Sequence, residues 1–253
     1  MRGSGVAAII GASATILASA ALADPRLDEK VYSPYVQNHV LELELNWGQE
    51  IGHGEEHGAR TFVTEVEAGL NDRVSLAVLG QVERAPGEAE RLTGAGLEGI
   101  VYIGQVPKLG VDVGAYLEWK KGFGGDDDVA EGKLLLAKTS GRFQGLVNLI
   151  VEEPLGAPRG EDFAEYGYAA SATWQTIGNL RLGAEAFGDL GSDHGFLRGA
   201  QGAYVGPQLK WEGRPGSLPF EVGIDAGWLF PVGPARHEAT SQARINLEIE
   251  KRF

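Results

Sequence analysis

Cysteine is absent from the 253 residues, which excludes a disulfide framework and a thiolate metal site. Basic residues are few, 22 against 35 acidic ones, for a formal net charge of -13. No basic stripe is offered to phosphates, so nucleic acid is excluded as a partner and cations stay open. After Asp24 no stretch of about 18 apolar residues occurs, so no membrane helix is expected there. Helical periodicity is scarce. Glycine, in contrast, is abundant at 38 residues, which suits many turns and close strand packing. The length fits one all-β domain.

The first residues read as an address. Arg2 precedes a short, small-residue apolar stretch over 6–17, and Ala21-Leu22-Ala23 precedes Asp24. This predicts a secretory signal peptide over 1–23, cleaved near Ala23. The stretch is too short and too rich in Gly, Ser and Ala for a membrane anchor. Residues 24–37 are expected to form a periplasmic segment and 38–253 the folded domain.

That domain is written in pieces of roughly ten residues that alternate with period two. Twelve strands are predicted: 38–48, 60–70, 73–83, 92–103, 109–120, 129–139, 143–153, 163–174, 180–187, 203–211, 220–230 and 243–253. Every second connection is short, beginning with Asn71-Asp72. The others are mostly longer and richer in Gly, Pro and acid. An even strand number with short turns at one end and long loops at the other predicts an all-β, up-and-down antiparallel transmembrane β-barrel. Both termini then lie in the periplasm. Ten strands is the alternative count, because 129–139 alternates weakly around Leu134-Leu135-Leu136. Pro207 predicts a bulge or a shifted boundary in the tenth strand.

The two faces differ sharply. One reads Leu41, Leu43, Leu45, Trp47, then Phe62, Val66, Leu70, and later Val222, Ile224, Trp228, Phe230. The other carries Glu42, Glu44, Glu65, Glu67, Glu98, Asp112, Glu118, Glu131, Glu152, Glu165, Glu185, Glu221, Asp225, Glu248 and Glu250. Its bases are Lys120, Lys133, Arg181, Lys210, Arg244 and Arg252. A soluble sandwich also alternates, with the apolar face inside. The tryptophans favour the barrel. Trp47, Trp119 and Trp228 fall at the loop ends of strands, and Trp174 and Trp211 at the turn ends with Phe253. These make two aromatic belts of the kind membrane interfaces favour. Outer-membrane lipids are therefore expected partners. The charged face is the expected lining of a polar lumen. Arg244 and Arg252 are expected to answer the crowded acids where the last strand meets the first.

The last strand, Ala243-Arg-Ile-Asn-Leu-Glu-Ile-Glu-Lys-Arg-Phe253, alternates strictly and ends on an aromatic. It resembles the C-terminal signal of bacterial outer-membrane β-barrel proteins, and the resemblance implies recognition by the barrel-assembly machinery. Val31-Tyr-Ser-Pro-Tyr-Val36 and Asn71-Asp-Arg73 are similar to segments of the porin-like, phenol-degradation-pathway type of outer-membrane barrel. That resemblance implies an outer-membrane transporter.

Three constellations have residue types that could carry chemistry. His53-Gly54-Glu55-Glu56-His57 has the spacing of a zinc-protease helix, but Gly54 stands where the general base belongs. The stretch reads as a loop in which His53 and His57 are candidate metal ligands. Asp126-Asp127-Asp128 has the oxygen donors for a hard divalent cation, but a charge run of this kind reads first as a solvated acidic loop tip. For an outer-membrane lipid hydrolase, none of His39, His53, His57, His194 or His237 stands in a sequence triad, and no G-x-S-x-G elbow occurs. The sequence predicts no catalytic residues and no cofactor. The expected function is passive passage of a small solute or ion through a cation-biased lumen. A closed barrel with ligand- or metal-binding loops and a lipid hydrolase are the alternatives.

Overall fold

A β-strand whose side chains alternate between two solvents needs a sheet with two different faces, and a closed sheet supplies an inside and an outside. A computed structural model describes residues 27–53, 56–156, 164–197, 202–233 and 240–253. It contains twelve strands: β1 Val40–Ile51, β2 Arg60–Gly69, β3 Val74–Arg84, β4 Arg91–Val106, β5 Val111–Gly122 and β6 Asp128–Ser140, followed by β7 Phe143–Leu155, β8 Glu165–Gln175, β9 Leu180–Ser192, β10 Ala203–Gly213, β11 Glu221–Val232 and β12 Ser241–Arg252. Each pairs antiparallel with its sequence neighbours, and β12 returns to β1 to close the barrel. The seam runs from Val40 opposite Arg252 to Ile51 opposite Ser241. Closure leaves no unpaired edge.

The count is twelve, and the weakly alternating 129–139 is a regular strand. Leu134 points out at 41% exposure and Leu135 in at 0%. Pro207 causes no bulge. It pairs with Ala184 on β9 in unbroken register, while the ladder to β11 lapses over 206–207 and resumes in the same register. The missing N–H is thus absorbed by a gap in one ladder.

The burial pattern is that of a soluble protein turned inside out. Leu76 and Val78 are 53% and 54% exposed, while Ser75 and Ala77, which alternate with them, are buried. Leu117 is 70% exposed, whereas Glu44, Glu65, Glu98 and Lys133 are all buried. An apolar surface of this extent needs lipid around it. It excludes the soluble sandwich.

Residues 27–39 correct an expectation. The segment expected in the periplasm runs through the barrel interior. Leu27 lies against Gly48 towards the loop end, where a Cβ would come 2.2 Å from the Leu27 carbonyl oxygen. Gln37 lies against Gly69 at the turn end, where a Cβ would meet its carbonyl oxygen at 1.8 Å. Only glycine admits the backbone this closely. The chain then turns back into β1 at His39, which adopts a positive φ of 57°. That corner is pinned by His39 N–H donating to Gly69 O at 3.1 Å and Phe253 N–H donating to His39 O at 3.0 Å.

The segment stays inside because the lumen offers it both apolar and polar partners. Val31 packs on a cluster of Ala169, Phe187, Tyr204 and Leu229. Tyr32 and Val36 pack on Ile100, Tyr116 and Leu135. A non-strand backbone in such an interior must still satisfy its polar groups. Asn148 does this for Tyr32, accepting from its N–H at 2.7 Å and donating to its carbonyl at 2.9 Å.

Candidate functional site

The lumen carries acids in register. Glu67, Glu42, Glu250 and Glu221 stand directly opposite one another in turn across β2, β1, β12 and β11. Glu65, Glu44 and Glu248 form a second row. On the far wall Glu98, Glu118, Glu131, Glu152 and Glu165 form a third, crossing β4 to β8. Directly opposed side chains sit about 5 Å apart, and like charges there repel. The residue types are local choices, but the rows exist only because the registers align them.

The bases that answer these rows come largely from or to the N-terminal segment. Lys30 pairs with Glu44 and, at 3.0 Å, with Glu65. Lys133 reaches Glu29 at 2.6 Å and Glu131 at 3.1 Å, and lies 4.5 Å from the centre of the Tyr32 ring. Lys120 approaches Asp28 at 3.6 Å and donates to Gln81 at 2.7 Å. Burial works against the Lys30 ammonium, but the carboxylates of Glu44, Glu65 and Glu98 outweigh it and hold its pKa well above the ordinary lysine value. Nearer the turn end, Tyr35 donates to Asp112 at 2.8 Å. Burial, and then that bond, push Tyr35 up to about 12.

The seam differs from expectation at its arginines. Arg244 donates to Gln242 at 2.7 Å and to the Glu29 carbonyl, and stacks 4.1 Å from the Phe187 ring centre. Arg252 is exposed at the end of β12. Lys30, not an arginine of β12, is the base that pairs with Glu44.

Of the other charged residues named from sequence, Asp112, Glu152 and Glu185 are buried inside. Glu42, Glu67, Glu118, Glu131, Lys120, Arg181, Lys210, Asp225, Glu248 and Glu250 are partly buried. Lys210 pairs with Asp225 at 2.9 Å. Glu221 is exposed and pairs with Arg214 at 2.9 Å. Trp119, Trp174, Trp228 and Phe253 are exposed on the outer surface, and Trp47 and Trp211 are partly covered.

Beside the N-terminal segment a cavity of about 310 Å³ remains. Nine acids and three bases line it, the bases being Lys30, Lys210 and Arg244. On its wall the carboxylates of Glu42, Glu44 and Glu248 converge, with one oxygen of each within 4.8 Å of the others. Among the described residues this is the one group of three that could hold a metal ion. His53 and His57 are both exposed, and they join no such group. Gly54 and Glu55 between them, and His237, lie outside the described residues. The loop acids are matched by bases: Asp126 with Arg91 at 2.7 Å and Asp128 with Lys121 at 2.7 Å. His194 faces Asp193 at 2.8 Å.

Sequence reasoning missed Glu29, Lys30, Tyr32, Tyr35 and Asn148. The one available signal was Val31-Tyr-Ser-Pro-Tyr-Val36, an apolar and aromatic stretch too rich to be left in water.

No family model matches the chain, and no curated protein matches it. Solved structures do. An outer membrane channel from Pseudomonas putida F1 aligns over 91% of this chain and 99% of its own, with a TM-score of 0.57 and 11% identity. The NanC porin aligns over 83% of this chain and 100% of its own, with a TM-score of 0.56 and 8% identity. The KdgM porin covers 84% and 99%, with a TM-score of 0.52 and 8% identity. At such identities the likeness speaks for the fold, and that fold is the twelve-stranded barrel of bacterial outer-membrane proteins.

Proposed function

We propose that the chain is an outer-membrane channel for passive passage of small solutes or ions, with a preference for cations. The observation that carries this reading is the charge of the cavity, nine acids against three bases inside a barrel whose outer surface is apolar. A passage lined by excess carboxylate concentrates cations and repels anions. The likeness of the fold to the KdgM and NanC porins and to an outer membrane channel supports it. In this reading residues 1–23 direct export, the C-terminal strand is read by the assembly machinery, and the short turns face the periplasm.

The N-terminal segment favours a second reading, a barrel held shut at rest, because it runs along the lumen and is tied to both walls. One experiment separates the two. Refolded mature protein is placed in a planar bilayer under a salt gradient. Unitary currents with a cation-shifted reversal potential are expected, shifting towards zero when Glu42, Glu67 and Glu250 are changed to Gln. Silence from demonstrably folded protein overturns the open channel. An anion-shifted potential overturns the cation preference.

A further inference from the structure

We infer that the loop-end rim of the barrel binds a phosphate-bearing lipid of the outer leaflet, with Arg60 and Arg84 as the headgroup ligands. The inference goes beyond the channel reading and takes from it only the orientation, long loops outward. Arg60 and Arg84 stand directly opposite each other across β2 and β3, and Gln49 on β1 stands opposite Arg60. All three belong to the outer face. Gln49 is in phase with Trp47, Arg60 with the exposed Phe62, and Arg84 with the exposed Val78. One row nearer the membrane centre, Trp47, Phe62, Val82 and Leu92 follow one another across β1 to β4. Successive rows on one face are about 7 Å apart. An apolar, aromatic strip therefore lies directly below a basic one, the order in which a lipid presents its acyl chains and then its phosphate.

The pair of arginines calls for an anion. Like charges directly opposed on neighbouring strands repel. Glu90 pairs with Arg60 alone, and that carboxylate is itself exposed. Arg84 donates to the Gly58 carbonyl at 2.7 Å, a neutral acceptor that leaves its charge unanswered. The Nε groups of both arginines are shut off from water and have no hydrogen-bond partner. Both orphans are donors. Buried donors are rarely left bare, and a phosphate can accept from two guanidinium forks at once. Lys121 on β5 extends the basic side of the rim. It is in phase with the exposed Trp119 and pairs with Asp128 at 2.7 Å. Across the barrel the outward residues at the same end include Val205, Trp228 and Phe230, which carry no charge. The basic strip is thus local to β2–β5.

The test is native mass spectrometry of the folded mature protein in detergent, titrated with lipid A and with its fully dephosphorylated form. Saturable retention of lipid A is expected, with the dephosphorylated lipid binding at least about tenfold more weakly, since charge-assisted hydrogen bonds are the strong ones. Arg60→Gln combined with Arg84→Gln should lower the affinity for lipid A at least about tenfold. Arg60→Lys combined with Arg84→Lys keeps both charges but loses the forks, and should fall between. Glu90→Gln frees Arg60 and should tighten binding. Lys138→Gln combined with Lys251→Gln, on the outer face at the turn end, should leave it unchanged. Thermal melting verifies that each variant is folded, and the Lys pair carries the test if the Gln pair is not. Equal binding of the dephosphorylated lipid, or unchanged affinity in the Arg variants, overturns the site. Failure of Glu90→Gln to tighten binding overturns Arg60 as a ligand. Displacement of lipid A by millimolar inorganic phosphate overturns the lipid as occupant, because the ion alone would then suffice. No current is recorded, so failure here leaves the channel reading untouched.

Discussion

Asn148 shows how much one side chain can decide. It is fully buried, and both its amide groups are spent on the backbone of Tyr32. Changing it to Leu leaves a buried N–H and C=O without partners, at about 1–3 kcal/mol for each orphaned group. Asn148→Leu should therefore release residues 27–37 while the barrel stays closed. Because the chain has no cysteine, a dye on Ser33→Cys reports this as increased mobility. The same probe reads the pH dependence. Lys30 and Tyr35 both have raised pKa values in the docked segment. Their stabilising contribution is fully present below their ordinary values, near 10; that of Tyr35 fades as pH climbs towards about 12, and that of Lys30 is lost only as pH rises through its raised pKa. The segment should stay docked through neutral pH and begin to loosen only above about pH 10, as the Tyr35 hydroxyl ionises. Loosening below pH 9 would remove Lys30 and Tyr35 as its anchors. At this scale the sequence could name the charged residues of the inner face but not their partners. Lys30 is 35 residues from Glu65, and Tyr32 is 116 residues from Asn148.

The strands are the elements the sequence showed most fully. Period-two alternation is local, because successive side chains must point to opposite faces. All twelve strands overlap their predicted ranges, and most differences are a few residues at the ends. β9 runs furthest beyond expectation, past Phe187 to Ser192, where glycines hide the alternation. The outward face is testable. Leu117, 70% exposed near the middle of β5, should tolerate Arg poorly. Leu117→Arg is expected to cost about 2–4 kcal/mol in vesicles, measured by denaturant unfolding, as charges near the bilayer midplane do. A null effect would place that face in water. The N-terminal segment was not legible in this way. Having no ladder of its own, it carries no period, and its place depends on two apolar clusters assembled from β4 to β11.

On the scale of the whole molecule, the segment divides the lumen. Deleting residues 27–37 removes no strand pair, so the barrel should still fold and its unitary conductance should rise severalfold. An unchanged conductance would show that ions do not pass along the space the segment occupies. The charge of the remaining cavity sets the sign of selectivity, and salt should weaken it. Charges in a wet lumen are screened over about 10 Å at 0.1 M salt.

By itself the sequence determined the all-β class, the strand faces, the parity of turns and loops and the acidic character of the interior. Each is a matter of residue type and spacing along a few neighbouring positions. Only the tertiary structure decided that β12 closes on β1 with Glu44 opposite Glu248, that Pro207 sits in an unbulged strand, and that residues 27–39 lie inside. Those outcomes depend on register and on contacts between residues as far apart as Glu29 and Arg244, 215 positions distant. Such contacts leave no periodic trace in the chain, because a buried pair is chosen by the geometry that brings it together.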